Sequence, residues 1–82
     1  MTLLLDELDD GAHATVRQVR TQSPDLDAAM LRRLAELGFI PGEPVQLLRR
    51  GPGGREPLAV RVGDALFALR RAEARCIEVE RA

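Results

Sequence analysis

The chain has 82 residues, 45% of them hydrophobic and 30% charged, with a formal net charge of −1, a balance that fits a folded globular domain and excludes a disordered tail. One domain over residues 1–82 is expected, since a second core would leave each half almost all surface, and little room remains for an enclosed active site. One cysteine excludes an internal disulfide framework, and the absence of a basic leader or a long apolar run argues against a signal peptide or membrane insertion, so a cytoplasmic protein is expected.

The N-terminus is Leu-rich and acidic, with Asp6, Glu7, Asp9 and Asp10 reading as a solvated turn. No histidine is fixed beside these acids for acid–base chemistry. Ala14–Val19 reads as a strand. Val16 and Val19 lie three apart, which breaks strand alternation and predicts a bulge.

Ser23-Pro24-Asp25 carries the residue types of a helix start. The spacing predicts a helix over Pro24–Leu37 with Leu26, Met30, Leu34 and Leu37 in one core-facing stripe and Leu31 at its edge. Gly38 then suits a left-handed helix stop with Phe39 folding back. Ile40-Pro41-Gly42-Glu43 matches a type II turn. Short strands follow at Val45–Arg50, Leu58–Val62, Ala65–Leu69 and Cys76–Val79, with Gly63-Asp64 forming a tight hairpin and Gly51–Pro57 a longer one. The expected fold is therefore a small SH3-like β-barrel of about five short antiparallel strands, with one α-helix inserted after the first strand.

Charge is unevenly spread: residues 1–40 hold seven acids and four arginines, residues 41–82 six acids and eight arginines. Arg49, Arg50, Arg55, Arg61, Arg70 and Arg71 form a candidate basic face. Nucleic acid is not expected as a partner, because Phe39 and Phe67 are the only aromatic residues and single-strand binders stack bases on such rings. The same shortage excludes the aromatic groove that grips proline-rich peptides. Gly51-Pro-Gly-Gly54 lacks the Gly-Lys-Ser/Thr ending of a phosphate loop. His13 and Cys76 are the soft metal donors, too few for a site, and alternation places Cys76 near the surface with Glu78. No cofactor, no metal site and no catalytic residues are expected, so the chain does not read as an enzyme.

The run Leu31-Arg-Arg-Leu-Ala-Glu-Leu-Gly-Phe-Ile-Pro-Gly-Glu-Pro-Val45, with Leu47-Leu-Arg-Arg50 and Phe67-Ala-Leu-Arg-Arg-Ala-Glu-Ala74, resembles the FeoA family. That resemblance covers most of the chain, although the connection Thr21–Ala29 is long and Gly51–Pro57 unusually glycine-rich. It implies an SH3-like barrel acting as a cytosolic accessory protein of bacterial ferrous iron uptake. The implied partner is the cytosolic part of a FeoB-like membrane GTPase and permease. The alternative is a regulatory domain like the C-terminal domain of DtxR-type iron-dependent repressors, serving metal sensing or nucleic-acid-associated regulation. The expected partner surface is the helix end and turn, at Leu31, Arg32, Phe39 and Ile40, where apolar area meets charge. Self-association is compatible with the sequence.

Overall fold

Alternating apolar residues build the scaffold of the chain, for which a computed structural model describes residues 2–82. In order, the elements are β1 (Thr2–Leu4), a 3₁₀ turn (Leu5–Glu7), β2 (His13–Val19), α1 (Ala28–Glu36) and β3 (Pro44–Gly51). They continue with a second 3₁₀ turn (Pro52–Gly54), β4 (Arg55–Val62), β5 (Ala65–Leu69), the one-turn helix α2 (Arg71–Ala74) and β6 (Ile77–Arg81). The six strands form one antiparallel sheet in the order β1-β6-β2-β3-β4-β5. A flat sheet with helices on one face would be only about 20 Å thick. The extents of 29 × 26 × 24 Å show the sheet coiled around its core instead. No ladder joins β1 to β5 among the described residues, so the barrel is left open between them.

The core follows strand alternation. Val45 and Leu47 of β3, Leu58, Val60 and Val62 of β4, and Ile77 and Val79 of β6 are buried, while Gln46, Arg61 and Glu78 point outward or sit half-buried. The register of β2 on β6 shifts between Val16 and Gln18, which is the bulge expected from the valine spacing. Gly63 has φ 55° and Val62 pairs with Ala65, giving the two-residue hairpin expected there.

The helical segment differs from expectation. Helix α1 begins at Ala28, four residues after Pro24, because Asp27 is its cap, with Oδ1 accepting from Met30 N at 2.9 Å. Ser23 instead accepts from Asp25 N at 3.1 Å, a local turn that competes with helix. The face docked on the barrel is offset by roughly one residue position from the expected stripe. Leu31 and Leu34 are buried, Leu26 and Leu37 are partly buried, and Met30 is 42% exposed. Gly38 does end the helix, at φ 122°, and Glu43 N donates to Ile40 O at 3.2 Å across the Pro41-Gly42 turn, where Gly42 has φ 91°.

Three further elements depart from the sequence reading. The leading Leu-rich turn contributes a sixth strand, β1, which pairs with β6. Helix α2 occupies Arg71–Ala74, with the Glu73 side chain accepting from Arg70 N at 2.7 Å. Cys76 is buried, not superficial. It lies before β6 begins, so strand alternation does not govern it, and its Sγ meets Ala72 O at 3.3 Å.

Candidate functional site

The four residues expected to form a partner surface divide into core and surface. Leu31 is 5% exposed and Phe39 is buried, with the Phe39 ring 6.0 Å from that of Phe67. Both belong to the core and offer little surface to a partner. Leu31 lies inward because α1 docks on the barrel through the face that carries Leu31 and Leu34, and Phe39 because Gly38 reverses the chain over the barrel. Arg32 is exposed and Ile40 is 46% exposed. Met30, which the helix stripe had assigned to the core, joins them outside.

The exposed residues of this region are Met30, Arg32, Arg33 and Ile40; Met30 and Arg33, three apart, share one flank of α1, whereas Arg32 lies on the opposite flank. Met30 lies in the first turn of α1, Ile40 just past its end, and the two exposed arginines between them. Neither arginine has an ion-pair partner among the described residues. An exposed apolar side chain on the same helix face as an unpaired arginine, as with Met30 and Arg33, has the composition of an interface anchor.

A second concavity, about 570 Å³ in volume, lies between the N-terminal turn, the β3–β4 loop and α2, lined by Asp6, Arg50, Arg55, Glu56 and Arg71. The carboxylate of Asp6, expected in a solvated turn, is buried instead; its Oδ2 lies 3.4 Å from Arg75 and 3.6 Å from Arg71. Arg50 donates to Asp10 Oδ1 at 2.8 Å, to Leu8 O at 3.0 Å and to Asp6 O. Glu56 Oε1 accepts from Arg71 N at 2.6 Å. These contacts, several of them to backbone groups, hold the N-terminal turn against β3, while Asp6 Oδ1 is buried with no hydrogen-bond partner among the described residues.

The expected basic face accordingly splits. Arg50 and Arg71 belong to this concavity, whereas Arg49 and Arg61 are exposed on the outer side of the sheet. On the far side, Glu78 accepts from Gln18 at 3.0 Å and from Arg20 at 3.3 Å. The Gln18 hydrogen bond is the largest influence and, with the smaller help of Arg20, holds the Glu78 carboxyl below its ordinary pKa against the opposing effect of burial, which ranks second. No group of three or more His, Cys, Asp or Glu side chains is gathered closely enough to hold a metal among the described residues. No helix among them is long and apolar enough to cross a membrane.

Comparison with known proteins places this geometry. The model of the FeoA domain family matches residues 3–81, while no curated protein matches the chain. Among solved structures, the zinc-complexed FeoA of Stenotrophomonas maltophilia, a procaryotic SH3 domain protein, is 42% identical. That match covers 95% of this chain and 89% of that one, with a TM-score of 0.83. The FeoA protein of Chlorobium tepidum is 35% identical over 96% of this chain and 70% of that one, with a TM-score of 0.79. A manganese-dependent transcriptional repressor is 25% identical over 99% of this chain but only 42% of that one, with a TM-score of 0.78. The open six-stranded barrel is thus an SH3-like fold.

Proposed function

The chain belongs to the FeoA family, and on that premise we propose that it is an accessory protein of ferrous iron uptake that binds the cytosolic part of a FeoB-like transporter and modulates it. The observation that carries this reading is the family match over residues 3–81. The Stenotrophomonas maltophilia relative, put forward as a ferrous iron transport activating factor, supports it. The proposed contact surface is Met30 and Arg33, which share one flank of α1, with Ile40 beyond the helix end; Arg32, on the opposite flank, is a separate candidate. The contact surface combines the exposed apolar area and unpaired charge that the buried Leu31 and Phe39 do not offer.

Titration of the purified protein against the purified cytosolic part of a FeoB-like transporter tests this. Wild type binds, and Met30→Glu combined with Ile40→Glu weakens binding about tenfold or more while the melting transition stays in place. Absence of wild-type binding overturns the function. Unchanged binding by the folded double variant removes this surface from it.

A second reading, a regulatory domain of the repressor type, rests on the likeness to the manganese-dependent repressor. It predicts retardation of duplex DNA in a mobility-shift assay with added Mn²⁺, where the first reading predicts none.

A further inference from the structure

Strand β5 is an end strand of the sheet and pairs only with β4. The two-residue hairpin closed by Val62 and Ala65 turns the backbone groups of Ala65, Phe67 and Leu69 toward β4, so those of Leu66 and Ala68 point away from the sheet. No hydrogen bond outside the β4 ladder is made by residues 65–69 among the described residues. Edge strands are commonly protected by lysine, proline, bulges or shortness. Ala65-Leu-Phe-Ala-Leu69 has none of the first two, and its register on β4 runs unbroken. Leu66 is 61% exposed on it. The opposite edge, β1, has three residues and is backed by the bond from Leu4 N to Glu7.

We propose that the outer edge of β5 pairs antiparallel with the same edge of a second copy of this chain, in the register that sets Phe67 opposite Phe67. The segment Asp64-Ala-Leu-Phe-Ala-Leu-Arg70 is its own complement in that register. Leu66 faces Ala68 of the other copy, and both pairs exchange the backbone bonds that now point to solvent. Just beyond each end of the ladder, Asp64 of the hairpin turn comes opposite Arg70, the cap residue of α2. Both side chains are exposed, and neither has an ion-pair partner among the described residues. Opposite charges directly across a ladder attract, and like charges there repel. A slip by two residues loses both charge matches, so charge selects the register. Arg61, next to Leu66 on β4, stands a further strand away from the two-fold axis, where its repulsion from the other copy is largely screened at physiological salt.

Sedimentation velocity over a micromolar to millimolar series tests the pairing. Wild type forms a concentration-dependent dimer, Asp64→Arg and Arg70→Asp each weaken it about tenfold, and the double swap restores it. A wild-type monomer throughout overturns the proposal. So do indifference of the dimer to either reversal and failure of the double swap to restore it. Where a reversal disturbs the hairpin, oxidative cross-linking replaces it. Leu66→Cys mixed with Ala68→Cys cross-links faster than either variant alone, and equal rates overturn the register.

Discussion

Gly38 makes a backbone demand without a packing one. Its φ of 122° is unfavourable for any side chain, while a Cβ there would meet Val62 Cγ1 at an ordinary 3.7 Å. Gly38→Ala should therefore cost about 1–2 kcal/mol through the backbone alone, read as a lower denaturant midpoint with unchanged slope. Leu31 makes the opposite case, because its backbone is ordinary and its side chain is core. Leu31→Ala should cost about 2–5 kcal/mol, and Leu31→Glu should abolish folding, since a carboxylate would be buried without a partner. Gly38 was legible in the sequence because helix termination is a local event. Leu31 was not, because a helix stripe read from spacing fixes which residues share a face but not how that face is rotated onto the barrel. For Cys76 the same gap appears at a strand start. Its burial predicts slow labelling by a thiol reagent in the native protein and fast labelling after unfolding.

At the scale of elements, two cap signals compete at the start of α1. Ser23 and Asp27 both stand before helix-compatible residues, and only Asp27 reaches a helical backbone donor. Asp27→Ala should cost about 1 kcal/mol and Ser23→Ala less, by thermal denaturation. Strand pairing was more legible than helix placement. Alternation, the valine spacing of β2 and the Gly63-Asp64 turn each specify register within a few residues of chain. The β2–β6 face adds a pH dependence that sequence could not supply, since Gln18 and Glu78 are 60 residues apart. Glu78 has a lowered folded-state pKa, chiefly through Gln18. Its contribution to stability is therefore complete above its ordinary value and is lost as pH falls through the lowered one. Gln18→Ala should reduce stability at neutral pH and flatten the loss on acidification, measured as denaturation midpoints on both sides of that range.

Over the whole molecule, the open gap between β1 and β5 leaves the N-terminal segment dependent on side chains where a closed barrel would use a ladder. That segment supplies Leu5 and Leu8, both fully buried, to a core of narrow margin in a chain this short. Strand β1 ties the segment to β6, and its ties to β3 are the backbone bonds joining Gly11 and Ala12 to Leu47, the bond from Gln46 Nε2 to Gly11 O at 3.1 Å, and Arg50. One guanidinium engages Asp6 O, Leu8 O and Asp10 Oδ1. A planar fork with several fixed donors suits three acceptors at once, whereas a single ammonium does not. Sequence showed Arg50 only as one arginine of a basic group, because its acceptors lie 40 to 44 positions away. Arg50→Ala leaves two partly buried carbonyls without their donor and should cost roughly 2 kcal/mol, with Arg50→Lys recovering only part. Amide exchange separates this from a general loss of stability. In Arg50→Ala, protection should fall first in residues 3–8, while β3 and β4 retain theirs relative to global unfolding. Uniform loss across the sheet would show instead that the N-terminal turn and the barrel open as one unit.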